Sequence, residues 1–232
     1  MDQNEAYDLR LKTPFSYILS GASQSGKTMH VLNFLKYRHV LMDVPTNNIF
    51  YFYSTEQPIF DSFKKSGLVK EWIKELPTID FLSEKTAPFK DGEGSIIILD
   101  DLQQQLNSDI STLFTVLCHA NRANVILMCQ NLFPKERVFR TISLNGTYFS
   151  IFKNPRDSSQ ILHFAKQFSP EDTDYVVDAF RDATRTQYSY LMFDCHQATP
   201  DNLRVRNHFL PHELPIRVYL PKKQKRIFKK KH

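Results

Sequence analysis

The chain has 232 residues, 41% of them hydrophobic and 24% charged, with a formal net charge of +5. That length suits one domain with a full core, and that composition excludes a disordered chain; no apolar run approaches the roughly 20 residues of a membrane-spanning helix, and the polar start MDQNEAYDLRLKTP does not read as a signal peptide. Cys118, Cys129 and Cys195 are widely spaced with no C-x-x-C pair, as expected of reduced thiols in a cytosolic or nuclear setting and not of a zinc site.

In chain order, short β-rich runs alternate with longer runs of helical spacing. FSYILS (15–20) is expected as the first strand, and TMHVLNFLKYRHVL (28–41) as the helix after it. NIFYFYS (48–54) is a second strand, and QPIFDSFKKSGLVKEWIKEL reads as one or two short helices. SIIILDDL (95–102) is a continuous apolar run ending in acids, the pattern of a buried parallel strand. NSDISTLFTVLCHANR fits a helix capped near Asn107 or Ser108, and ANVILMCQN (123–131) another buried strand. GTYFSIFKNP (146–155) and YSYLMFD (188–194) are further strands, with helices expected at SSQILHFAKQF and EDTDYVVDAFRDAT between them. The alternation predicts an α/β fold with a largely parallel central sheet flanked by helices and extra C-terminal strands. The expected organisation is an N-terminal segment 1–14, a domain 15–215 and a basic tail 216–232. From Arg217 to His232 there are eight Lys and Arg and no acid, whereas the rest of the chain holds 22 basic against 25 acidic residues. Such a tail suits polyanions or nuclear import, or is simply a solvated end.

The stretch GASQSGKT, Gly21 to Thr28, fits G-x-x-x-x-G-K-[ST] at every fixed position, with a strand before it and a helix after it. Gly21 and Gly26 let the backbone curl so that the N–H groups of the intervening Ala22, Ser23, Gln24 and Ser25 can face phosphate oxygens. The helix that follows aims its positive end at the same anion. Lys27 is placed to reach the β- and γ-phosphates, and the Thr28 hydroxyl to ligate Mg²⁺. The expected cofactors are therefore ATP and Mg²⁺, and the expected activity is that of an ATPase. Asp100, at the end of an apolar strand, is the expected acid for the metal's shell. Asp101 beside it is the candidate for polarising the attacking water. Gln130 ends the next buried strand, where ligands of open α/β sheets bind; its amide can contact the γ-phosphate or the water. Arg122 precedes that strand, so it is expected at the opposite end of the sheet and suited to serve a neighbouring subunit's nucleotide. Arg137, Arg140 and Arg156 are further options, and a surface ion pair is the alternative for each.

In order, GASQSGKT, IFYFYSTEQPIF, IIILDDL, NVILMCQNLFP and RTISLNGTYFSIFKNPRDSSQI resemble the viral genome-packaging ATPases of the FtsK–HerA superfamily, above all those of Polinton, adintovirus and virophage type, relatives of the poxvirus enzyme. The resemblance runs from about Phe15 to about Arg206. It implies a RecA-like P-loop NTPase core of the ASCE type, with an extra strand between the P-loop strand and the strand ending in Asp100 and Asp101. It implies a homo-oligomeric ring of five or six subunits that passes double-stranded DNA, without regard to sequence, into a capsid through a vertex or portal-like protein, with no membrane involved. It places the protein in the infected host cell, in nucleus or cytoplasm, and in the virion. By the family pattern Lys27 and Thr28 hold ATP and Mg²⁺, Asp100 and Asp101 are the acidic pair, Gln130 is the sensor and Arg122 the trans-acting finger. The pair here is Asp-Asp where many relatives have Asp-Glu, and no nuclease domain of the tailed-phage type is expected. PFKDGEG (88–94) and NLFPKERVFR (131–140), the latter with Lys135, Arg137 and Arg140, are the candidate DNA-facing loops. A non-motor ATP-binding switch or assembly protein on the same fold is the alternative reading; a small P-loop kinase is disfavoured because no Arg-rich lid is evident.

Overall fold

The computed structural model describes residues 7–85, 94–102, 105–118, 122–133, 137–213 and 215–221, without the side chains of Leu117 and Arg137. Among the described residues nine strands form one sheet: β1 (Ser16–Ser20), β2 (Ile49–Tyr53), β3 (Glu71–Ile73), β4 (Ser95–Asp100), β5 (Ala123–Cys129), β6 (Tyr148–Phe152), β7 (Tyr190–Asp194), β8 (Val205–Asn207) and β9 (Arg217–Val218). Their order is β3-β2-β4-β5-β1-β6-β7-β8-β9. All pairings from β3 to β6 are parallel, and those from β6 to β9 antiparallel. The expected α/β class, with a largely parallel sheet and added C-terminal strands, is therefore what the chain adopts, and β5 is the extra strand inserted between β1 and β4.

The strands β1, β2, β4, β5, β6 and β7 are buried along their whole length because both faces of the sheet are covered. Alternate residues feed two separate cores. Ile18, Ile97, Leu99, Val125 and Leu127 point to one. Tyr17, Leu19, Ile96, Ile98, Ile126 and Met128 point to the other. The first face is covered by α3 (Ile79–Lys85), α4 (Ser108–Thr112), α5 (Arg137–Leu144), α6 (Ser159–Phe168) and α7 (Thr173–Ala183), through Leu82, Ile110, Ile142, Phe164 and Val176 among others. The second is covered by α1 (Lys27–Leu41) and α2 (Pro58–Ser66), through Val31, Phe34, Leu35 and Phe60. Leu11, within the segment read as preceding the domain, lies in this second core and bridges to Met42.

Local chemistry sets the element ends. The Asn107 side chain accepts from the N–H groups of Asp109 (3.1 Å) and Ile110 (3.2 Å), capping α4 as expected. That helix continues into a π-helical turn over Leu113–Leu117. Pro58 opens α2, and Gly67 at φ 66° closes it. The second half of QPIFDSFKKSGLVKEWIKEL departs from the helical expectation: Glu71–Ile73 is an edge strand paired with β2. There the Trp72 ring stacks on Tyr51 at 4.5 Å and sits 4.9 Å from Phe60, an aromatic cluster across β2, β3 and α2. β9 lies within the stretch read as the start of the tail. None of the described helices is long and apolar enough to cross a membrane.

Candidate functional site

At the carboxyl end of the parallel strands a cleft of about 1040 Å³ opens, lined by Ser23 to Thr28, Asp100, Asp101 and Gln130, and by residues that motif spacing did not reveal. Its floor is the turn between β1 and α1. Gly21 donates to the Cys129 carbonyl (3.2 Å), tying the turn to β5. A Cβ on Gly21 would stand 2.6 Å from the Phe152 Cβ and 2.9 Å from the Ser25 Oγ, so only glycine passes there. Gln24 at φ 62° and Gly26 at φ 100° curl the turn through left-handed conformations.

The cradle has the chemistry of an anion site. α1 starts with no side-chain cap and no acid in its first turn, leaving its first N–H groups and positive end directed at the cleft. The Ser25 Oγ is buried and has no hydrogen-bond partner among the described residues. The Lys27 ammonium folds back onto the carbonyls of Gly21 (2.6 Å) and Ala22 (2.9 Å), and burial holds its pKa below the usual lysine range. A cation whose described partners are neutral carbonyls has charge left to offer a polyphosphate.

Two strands away, Asp100 is 4% exposed. Burial pushes its carboxyl up to about 6, with Asp101 adding to the rise and hydrogen bonds from Tyr51 and Gln57 opposing it. The Tyr51 hydroxyl donates to Oδ2 at 2.8 Å and the Gln57 amide to the same oxygen at 3.2 Å. β2 and β4 pair with Tyr53 opposite Asp100; Tyr51 stands two residues back on the same face, which brings its hydroxyl within reach. Asp101 leaves the strand at φ 54°, a left-handed turn that Asp tolerates better than most residues, and accepts from the Gln130 Nε2 at 3.0 Å. The acid and amide from neighbouring strands thus meet directly. Thr28 and Asp100 both line the cleft as hard oxygen donors and suit a Mg²⁺ ion that completes its shell with waters and phosphates. No group of three or more His, Cys, Asp or Glu forms a cation cage among the described residues.

Gln160 was not singled out from the sequence, though it lies within the stretch FKNPRDSSQI. It is 7% exposed at the start of α6. Its Oε1 accepts from the Leu132 N–H (3.0 Å) and the Ser20 hydroxyl (3.3 Å), and its Nε2 donates to Asp157 (3.0 Å). One amide thus joins the end of the P-loop strand to the loop after Gln130. Tyr188, Tyr190, His212 and Glu213 line the other flank of the cleft.

Arg122 does not line the cleft. It precedes β5 at φ 50°, at the opposite end of a seven-residue strand, which separates it from Gln130 by roughly 25 Å. Arg140 and Arg156 are exposed and do not line it either. Pro88–Glu93, Lys135, the Arg137 side chain and the tail from Lys222 lie outside the described residues.

A cleft formed by a glycine-bounded turn, an uncapped helix and a buried strand-end acid, on a sheet with an extra strand between β1 and β4, defines a P-loop NTPase. Residues 3–193 match the family of the Poxvirus A32 protein, and the chain belongs to that family, the poxvirus packaging ATPase group of FtsK–HerA type. Comparison with curated protein sequences gives no match. The solved structure of the genome packaging NTPase B204 from Sulfolobus turreted icosahedral virus 2, in complex with ATP-gammaS, is similar with a TM-score of 0.51 and 15% identity, over 90% of this chain and 98% of that one. The cytoplasmic domain of the Thermomonospora curvata Type VII secretion ATPase EccC is similar with a TM-score of 0.51 and 14% identity, over 80% of this chain and 24% of that one. At such identities the likeness to both is one of fold.

Proposed function

We propose that this protein is an ATP-driven translocase that moves double-stranded DNA into a viral capsid in an infected cell. The observation that carries the reading is the meeting, in one cleft, of the P-loop, the buried Asp100 and the Asp101–Gln130 pair, in a chain of the packaging ATPase family. Lys27 leaves the Gly21 and Ala22 carbonyls to neutralise the β- and γ-phosphates. Thr28 and Asp100 would hold Mg²⁺, which when bound would shield the phosphate charge. Tyr51 and Gln57 fix the Asp100 carboxylate by its Oδ2, so that its Oδ1 would remain available for that role. Asp101 takes the proton from the attacking water, and Gln130, bonded to Asp101, orients both. Catalysis is then mainly positioning and charge stabilisation. The transition-state charge on the far side of the γ-phosphate is met by Arg122 of a neighbouring copy in a ring. DNA contacts fall on phosphates, because a packaging motor must accept any sequence, and the basic tail after the 15–215 domain is one source of them.

The test is ATP turnover with and without double-stranded DNA. Turnover is expected to rise with DNA of any sequence and to drop at least 100-fold in Lys27→Ala. Vigorous hydrolysis indifferent to DNA would sink the translocase reading, and tight ATP binding with negligible turnover would favour the switch.

A further inference from the structure

We infer that Tyr188 is the platform on which the nucleotide's base stacks, and that it sets a preference for purine over pyrimidine triphosphates. This rests on the nucleotide reading of the cleft. The sheet order fixes the direction of a bound nucleotide. Asp100, Asp101 and Gln130 come from β4 and β5, on one side of the P-loop strand β1, and Tyr188 and Tyr190 come from the start of β7, on the other side beyond β6. The γ-phosphate end must face the acids, so the nucleoside end extends toward β7. β7 is antiparallel to β6, which brings its first residues to the same end of the sheet as the P-loop.

Tyr188 has the position and the freedom for this task. It is 61% exposed, unusual for a large aromatic side chain beside a cleft. Its Cβ and Cδ1 stand 3.2 and 3.5 Å from the place a Cβ would take on Gly26, so the side chain leans on the last turn of the cradle. No ring partner or hydrogen bond within the described residues holds the phenol. Its backbone is left-handed at φ 65°, a costly conformation for a bulky residue. The neighbouring aromatic residue, by contrast, is locked: the Tyr190 hydroxyl donates to Glu213 at 2.8 Å and accepts from the Phe209 N–H at 2.9 Å, and its ring packs on His30. Glu213 is further tied to the Leu210 N–H at 3.0 Å, so the wall behind the platform is rigid. An unheld ring beside a rigid polar wall offers a π-face for a base, and the larger purine gains more from it.

The experiment measures binding of ATP, CTP and inorganic tripolyphosphate, which has no base, to the full chain and two variants. Tyr188→Asn removes the ring with a residue that tolerates left-handed backbone, and Tyr188→Phe keeps the ring. The expected result is an approximately tenfold loss of ATP affinity in Tyr188→Asn, a smaller loss for CTP, unchanged tripolyphosphate binding, and near-normal ATP binding in Tyr188→Phe. Equal losses for ATP and tripolyphosphate, or unchanged ATP affinity in Tyr188→Asn, would overturn the platform. A parent chain that binds neither ligand would overturn the nucleotide reading itself, and the platform with it.

Discussion

Asp100 carries two opposed demands. A carboxyl with a folded-state pKa of about 6 against an ordinary 3.8 binds its proton more tightly folded than unfolded. The Asp100 contribution to stability is therefore most favourable below about pH 4, falls as pH rises to about 6, and stays reduced above that by on the order of 3 kcal/mol. A cation in the cleft reverses the preference, since it needs the ionised form. Asp100→Asn keeps an oxygen for Tyr51 and removes the buried charge. The variant is expected to be more resistant to urea than the parent at pH 7.5 by about 2–3 kcal/mol, to match it near pH 4, and to lose Mg²⁺-dependent ATP hydrolysis at least 100-fold. Mg²⁺ affinity of the parent should weaken as pH drops through 6. Equal urea midpoints for the two chains across this range would show that the burial of Asp100 costs nothing.

At the scale of elements, the ends of β1 and β5 are joined by α6 through Gln160. Gln160→Leu fills the same space but leaves the Leu132 N–H and the Ser20 hydroxyl without their acceptor, at about 1–3 kcal/mol. Because Leu132 follows Gln130 by two residues, the same change should loosen Gln130, the proposed sensor. Turnover is expected to fall about tenfold with ATP affinity unchanged, read from kcat and from equilibrium binding separately. Much of this architecture is legible in sequence: Phe15–Ser20, Ser95–Leu102 and Ala123–Asn131 are continuous apolar runs, and the glycine spacing marks the cradle between the first of them and α1. What escapes is either too short or too distant. β3, β8 and β9 have three, three and two residues, too few for any periodicity to emerge, and Glu71 and Arg206 interrupt what apolar pattern there is. Arg206 is in fact fully buried, paired with Asp194 at 2.8 Å, which no local pattern announces. Gln57 and Tyr188 line the cleft, and Tyr51 and Gln160 buttress it, only through strand register and helix docking, so their roles have no signature in their own neighbourhoods.

At the scale of the molecule, the proposed mechanism gives the two ends of β5 different tasks. Gln130 faces the chain's own cleft, and Arg122 sits at the far end, on the rim of the sheet. If Arg122 acts in trans, Arg122→Ala should retain ATP affinity while losing turnover by 10²-fold or more. Mixing it with Lys27→Ala should then restore part of the activity, since a mixed interface pairs an intact cradle with an intact arginine. Additivity of two dead proteins in that mixture would exclude the trans role.

Among the described residues, the sheet's two outer strands are among its shortest. β3 offers three residues flanked by Lys70 and Lys74, and β9 offers two, beginning with Arg217. Neither is a template on which another chain could continue a ladder, and the charges around them oppose any attempt. In the proposed ring, copies of this protein would then stand side by side at high local concentration without zipping into cross-β polymers. The contacts of such a ring would fall to helices and loops, which can slide and re-form where a shared sheet could not.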